Sequence, residues 1–163
     1  MKKVLIYGKS GAGKTTLAKK LSDKFTLTHL DLDNLAWLNT QPPKRKPIKE
    51  SIRAIDDFLL GNSGWVIEGC YSDLLAYVSK KANEVVFLNP GTDACIKNCE
   101  NRPWEPHKYI SKEEQDKNLD MLIDWVKDYE TREDEFSLKS HMSLYELYKG
   151  EKSIANKGES YNF

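Results

Sequence analysis

Short apolar runs alternate with amphipathic stretches along this chain. Val4-Leu5-Ile6-Tyr7 is a continuous apolar run that stops at Gly8, the pattern of a strand buried on both faces of a parallel sheet. Leu17, Ala18, Leu21 and Phe25 then recur at helical spacing among lysines, which predicts an amphipathic helix over residues 14–24. Residues 28–33 read as a second strand with Asp31 and Asp33 at its C-terminal end. A loop rich in proline and base follows, Gln41-Pro42-Pro43-Lys44-Arg45-Lys46-Pro47. Pro47 suits the first turn of a helix that carries Ile52, Ile55 and Leu59 on one face and stops at Gly61. Residues 64–69 predict a third strand with Glu68 at its end. Ser72 is placed to cap a helix bearing Leu74, Leu75, Tyr77 and Val78, with Lys80 and Lys81 in its last turn. Residues 84–90 predict a fourth strand ended by Pro90, and Thr92 is placed to cap the next helix.

The prolines of Asn101-Arg102-Pro103-Trp104-Glu105-Pro106-His107-Lys108-Tyr109 exclude regular structure and predict a loop. Ser111-Lys112-Glu113-Glu114 is a capping-box pattern, and Leu119, Leu122, Val126 and Tyr129 continue the helix it opens. A last helix carries Leu138, Met142 and Tyr145 and ends at Gly150. Beyond it only Ser153-Ile154-Ala155 has the pattern of a weak edge strand. This succession of strands and helices predicts an α/β fold, a parallel sheet with helices on both faces, in a single domain over residues 1–163. Ligands of such sheets bind beyond the carboxyl ends of the strands, so Gly8, Asp33, Glu68 and Asn89 are expected to face one crevice.

Composition narrows the function classes. Hydrophobic residues make up 39% and charged residues 31% of the 163, which fits one globular domain with its own core. Lys plus Arg equals Asp plus Glu at 25 each, so no overall field draws the chain to nucleic acid or anionic lipid. No apolar run approaches the ~20 residues that span a bilayer, so no membrane partner is expected. Met1-Lys2-Lys3 leads directly into the first strand and reads as no signal peptide. The three cysteines, Cys70, Cys95 and Cys99, form no Cys-x-x-Cys pair and no metal-ligand spacing. A cytoplasmic protein with reduced, structural cysteines is expected.

Gly8-Lys9-Ser10-Gly11-Ala12-Gly13-Lys14-Thr15 fits G-x-x-x-x-G-K-[ST] without a mismatch, and it follows a strand and opens a helix, as a P-loop must. The glycines let backbone N–H groups approach phosphate oxygens, and the helix adds the positive end of its dipole. ATP is therefore expected at Gly8, Ser10, Gly11, Ala12, Gly13, Lys14, Thr15 and Thr16. Lys14 would neutralise the terminal phosphates and Thr15 would ligate Mg²⁺. Asp31 is a second candidate for the metal. Asp33 and Glu68, each at a strand end, are candidates to hold the metal or to orient or deprotonate an acceptor hydroxyl. Arginines are few: Arg45, Arg53, Arg102 and Arg132. Arg102, at the start of the proline-rich loop, and Arg132, after the long helix, are the candidates to stabilise charge on a moving phosphoryl group. Arg53 is expected on a solvated helix face. His29, His107 and His141 show no triad or metal spacing. Trp37 and Trp104 fall in expected loops near the crevice. Asn156-Lys157-Gly158-Glu159 is only superficially like a guanine-reading N-K-x-D segment, since no apolar strand leads into it and its last residue is Glu.

Taken with the P-loop, His29-Leu30-Asp31 and Trp65-Val66-Ile67-Glu68-Gly69-Cys70-Tyr71-Ser72 resemble the small P-loop family known as DNA topology modulation proteins, similar to adenylate kinase and shikimate kinase. The resemblance covers roughly residues 1–100. It departs where the family's Asp-Gly-Asn-Tyr stands as Glu68-Gly69-Cys70-Tyr71, and where an arginine-rich lid is reduced chiefly to Arg102 and Lys108. The resemblance implies a kinase-like fold with a short lid and ATP as donor. Two activities are consistent with the residues. One is an ATP-dependent phosphotransferase for a small-molecule acceptor, with residues 34–61 on the acceptor side and residues 102–111 as the lid. The other is a nucleotide-dependent switch, favoured by the scarcity of arginine and by Asn89 in place of an acid. DNA binding through Lys44-Arg45-Lys46 is a third, weaker reading.

Overall fold

The computed structural model describes residues 1–156, 159, 161 and 162. Strand β1 (Lys3–Tyr7) leads through the glycine loop into helix α1 (Lys14–Phe25), and β2 (Thr28–Asp31) runs on into a 3₁₀ turn, Leu32–Asn34. A small antiparallel hairpin, β3 (Trp37–Leu38) and β4 (Lys44–Arg45), precedes α2 (Ile48–Leu60). Then come β5 (Trp65–Gly69), α3 (Ser72–Ser79), β6 (Glu84–Leu88), α4 (Thr92–Glu100), α5 (Lys112–Lys127), α6 (Leu138–Leu147) and β7 (Glu151–Ala155). The main sheet has five strands in the order β2-β5-β1-β6-β7, all parallel.

The period-2 alternation of the strands sorts the core into two layers. Val4, Ile6, Val66, Val86 and Leu88 face Leu17, Ala18 and Leu21 of α1, Cys95 and Cys99 of α4 and Val126 of α5. Leu5, Tyr7, Ile67, Val85 and Phe87 face the other way, toward Ile55 of α2, Leu74, Leu75 and Val78 of α3, and Met142 and Tyr145 of α6. Runs of successive apolar residues in the inner strands follow from having helices on both faces, and each fully buried apolar side chain contributes about 1.5–3 kcal/mol of burial. The glycine loop follows the central strand, so the sheet holds it from both sides.

Several local expectations are corrected. The second strand stops at Asp31, not Asp33, because the Asp31 carboxylate accepts from Asp33 N at 2.9 Å and starts the 3₁₀ turn. A short acid bonding its own backbone competes with the ladder, and Leu32 turns into the core at 0% exposure. Asp31 and Asp33 are therefore not two positions of one strand face. Part of the expected proline-rich loop is the β3–β4 hairpin. Ser72 and Thr92 are first helical residues rather than caps; Tyr71 and Gly91 hold the cap positions without a side-chain bond. Lys80 is the C-cap of α3 and Lys81 lies beyond it. Ser111 does cap α5, its Oγ accepting from Glu114 N at 3.2 Å, and Tyr129 lies beyond that helix. The edge strand β7 spans five residues, of which the sequence pattern marked three. Lys157 and Gly158 of the Asn-Lys-Gly-Glu segment lie outside the described residues. Among the described residues no helix is long and apolar enough to cross a membrane.

Candidate functional site

The glycine loop is shaped by contacts that only glycine permits. Gly11 has φ 78°, and a Cβ there would lie 2.3 Å from Cys95 O. Asn98 Nδ2 donates to Gly11 O at 2.8 Å, tying the loop to α4. Gly13 ends the loop at φ 91° and caps α1 without any side-chain bond, which leaves the helix N-terminus open to an anion. Lys14 Nζ folds back to donate to Lys9 O at 2.7 Å. Lys9 itself is buried, 4.9 Å from the centre of the Tyr129 ring. It is therefore a packing residue of the loop.

Beside the loop, Thr15 Oγ1 donates to Glu68 Oε1 at 2.9 Å, and the other Glu68 oxygen lies 2.9 Å from His29 Nε2. Glu68 is 2% exposed. Parallel pairing sets this geometry, because β2 and β5 place Asp31 opposite Glu68. His29, for which the sequence shows no triad or metal spacing, lies two residues before Asp31, so both fall on one face of β2.

A second cluster of polar side chains is built around Asp33. Its carboxylate accepts from the Tyr71 hydroxyl and, at 2.7 Å, from Lys108 Nζ. Trp37 Nε1 in turn donates to Tyr71 Oη at 2.8 Å. Lys108 also reaches Asp31 Oδ2 at 3.4 Å and Glu105 Oε2 at 3.5 Å. Burial opposes ionisation of Asp33, but the Lys108 ammonium and the Tyr71 hydroxyl outweigh it and hold the pKa below the usual carboxylate range. Burial and the adjacent Asp33 charge push Asp31 the other way, upward, against the pull of Lys108. Asp33 keeps 33% of its side chain open. Two carboxylates a few residues apart thus hold unlike proton affinities, a feature common to sites of proton transfer.

Residues 102–111 form no helix or strand, apart from turns, before α5. Arg102 pairs with Glu105 at 3.3 Å, and Gln115 of α5 accepts from Glu105 N at 2.8 Å. The segment closes one side of a cleft of about 870 Å³ lined by the glycine loop, Asp31, Asp33, Glu68, Arg102 and Lys108. Trp104 and His107 line it as well. Arg132 does not line it: it stacks 3.5 Å from the centre of the Trp125 ring and pairs with Asp134. Asn89 and Gly8 are also set back from the cleft wall, and Asn89 N donates to Ala155 O at 2.7 Å.

The residues fit a nucleotide and a hydrated divalent ion. A loop with no room for a Cβ at Gly8 or Gly11 and an uncapped helix N-terminus form a cradle for phosphate. Among the described residues no group of three or more His, Cys, Asp or Glu side chains could enclose a metal. The Thr15 hydroxyl and the Asp31 carboxylate line the same cleft, and oxygen donors of this kind suit a hydrated Mg²⁺.

A family model described as AAA domain matches residues 4–135. The chain belongs to this AAA domain family. It is similar to the uncharacterized protein YqaC of Bacillus subtilis (strain 168), 34% identical over 87 residues, which cover 53% of this chain. The match spans about half of that relative, 48% of its length. Among solved structures, the fold is similar to that of a gluconokinase from Sinorhizobium meliloti 1021, with a TM-score of 0.54 and 14% identity over 98% of this chain and 84% of that one. At that identity the likeness is one of fold. This member of the AAA domain family is a P-loop nucleotide-binding protein with a kinase-like α/β fold.

Proposed function

We propose that this protein is an ATP-dependent phosphotransferase for a small hydroxylated acceptor and that it works with Mg²⁺. The observation that carries the reading is the placing of Asp33, held ionised by Lys108, in the same cleft as the P-loop. The amides of residues 10–15 and the Lys14 ammonium bind the phosphates, for which Lys14 leaves its bond to Lys9 O. Thr15, with Asp31 nearby, serves the metal side, and Mg²⁺ when bound supplies charge neutralisation between the terminal phosphates. Both oxygens of Glu68 are engaged by Thr15 and His29. Asp33 bonds Tyr71 and Lys108 in the same way, but it keeps 33% of its side chain open where Glu68 is 2% exposed, and that favours Asp33 as the group that orients the acceptor hydroxyl and takes its proton. Lys108 and Arg102 are the lid cations, and Arg132 is left a structural role. The whole chain, residues 1–163, acts as one domain, with residues 34–61 on the acceptor side and residues 102–111 as the lid. Closing the lid keeps water from the reacting phosphoryl group. Free cysteines at 70, 95 and 99 suit a cytoplasmic setting. Nucleic acid has no part in this reading: Arg45 of the basic cluster turns inward onto Asp73 at 3.1 Å.

The test is ADP formation from Mg-ATP across nucleoside monophosphates, nucleosides, shikimate, gluconate and other hydroxylated metabolites. A Lys14-dependent rise with one acceptor above background hydrolysis supports the reading. A second reading, a nucleotide-driven switch, draws on the same Lys108–Asp33 contact as a latch that nucleotide binding releases. Tight ATP binding with no acceptor effect would favour it.

A further inference from the structure

We propose that His29 is a positioning residue for the metal side of the site: it fixes the Glu68 carboxylate so that the Thr15 hydroxyl turns its lone pairs toward the cleft. The inference rests on the reading of the site as a Mg-ATP site. Three groups stand in a row, His29 Nε2 at 2.9 Å from one Glu68 oxygen and Thr15 Oγ1 at 2.9 Å from the other. His29 Nε2 is placed to donate to Glu68 Oε2, and Thr15 Oγ1 donates its single proton to Glu68 Oε1. Once that proton is committed, both hydroxyl lone pairs are free to face a cation. A hydroxyl free to rotate would spend part of its time pointing its proton there instead.

Glu68 needs this second anchor for a reason visible in its length. A glutamate carries one more rotatable bond than an aspartate, and its terminal torsion is broad. Burial removes water as an alternative partner, since Glu68 is 2% exposed. His29 holds the far oxygen from the neighbouring strand, and β2–β5 pairing fixes how far apart the two residues lie. The arrangement matches the general way in which residues behind a metal ligand orient it, whose loss costs 10–100-fold in metal affinity or activity.

The test measures ATP binding by calorimetry at stepped Mg²⁺ concentrations, in wild type, His29→Ala and His29→Gln. The expected result is that His29→Ala needs about tenfold more Mg²⁺ to reach the same gain in ATP affinity. Its affinity for metal-free ATP stays at the wild-type value. His29→Gln, whose amide N–H can donate to the same oxygen, recovers most of the Mg²⁺ response. Thermal melting of each variant confirms that it is folded at the assay temperature. An unchanged Mg²⁺ curve in His29→Ala, or an equal loss of ATP affinity with and without Mg²⁺, overturns the inference while the Mg-ATP reading stands. A wild type with no Mg²⁺-dependent gain overturns both.

Discussion

Lys108 Nζ lies 2.7 Å from Asp33 Oδ2, and this one contact joins the loop after α4 to the turn after β2 across the mouth of the cleft. Each partner shapes the other. Burial opposes the Lys108 charge, but Asp33 and Asp31 outweigh it and hold the ammonium well above the ordinary lysine range. Asp33 is held below the ordinary carboxylate range in return. The position of this loop and the charge on Asp33 are therefore linked.

Replacing the lysine should break that link. In Lys108→Met, Asp33 loses its nearest cation and protonates at higher pH. The acid limb of the kcat/KM profile for acceptor phosphorylation then moves to higher pH, and acceptor-independent ATP hydrolysis rises because the lid is no longer held. Asp33→Asn should lower acceptor phosphorylation by about 10² while Mg-ATP still binds. An acid limb that stays in place in Lys108→Met would separate this lysine from the chemistry of Asp33.

The two glycines that end the P-loop should respond differently to alanine. At Gly11 a Cβ meets Cys95 O at 2.3 Å and Cys99 Sγ at 2.9 Å, with φ at 78°, so the loop or α4 must move. Gly11→Ala should cost about 2–4 kcal/mol and abolish ATP binding. At Gly13 nothing lies within 4 Å of the added carbon and only the φ of 91° is unfavourable. Gly13→Ala should cost about 1 kcal/mol. Urea unfolding of both variants measures the difference, and equal losses would show that sterics against α4 do not shape the loop.

His141 should make stability depend on mild acid. It is fully buried, donates from Nε2 to Cys70 O at 2.8 Å and takes the Tyr129 hydroxyl on Nδ1 at 2.7 Å. Burial pushes its pKa down to about 4, against the pull of the Cys70 carbonyl. The unfolded chain, with an ordinary histidine, binds the proton first as pH falls from about 6.5. Stability therefore declines between about pH 6.5 and 4 and levels below that, by a total on the order of 3 kcal/mol from this group. Denaturant unfolding across that range in wild type and His141→Gln isolates the effect. The slope difference should vanish if His141 is charged in the folded protein.

What the sequence made legible and what it hid divide along separation in the chain. The P-loop, its strand and its helix are contiguous, so one motif and two periodicities place them. The three inner strands are marked by short apolar runs at residues 4–7, 65–67 and 85–88, which arise because both faces are covered. Asp31 and Asp33 were recognised, but the turn between them was not, since a carboxylate bonding a backbone N–H two residues on leaves no periodic trace. Arg45 was counted in a basic cluster with Lys44 and Lys46. In the fold it bonds both oxygens of Asp73 at 3.1 Å and lies 4.7 Å from the centre of the Tyr71 ring, partners found only once the hairpin docks on α3. His29 meets Glu68 and Lys108 meets Asp33 through strand pairing and loop closure, and no local pattern encodes either.

The central claim is that the P-loop delivers a phosphoryl group to an acceptor held at Asp33. The most direct measurement follows the label from γ-³²P ATP, with Mg²⁺, into acceptor and into inorganic phosphate, for wild type and Lys14→Ala. One acceptor class should take most of the label in the wild type, and Lys14→Ala should transfer none. Label that appears only as inorganic phosphate with every acceptor, while ATP binds tightly, would contradict the claim.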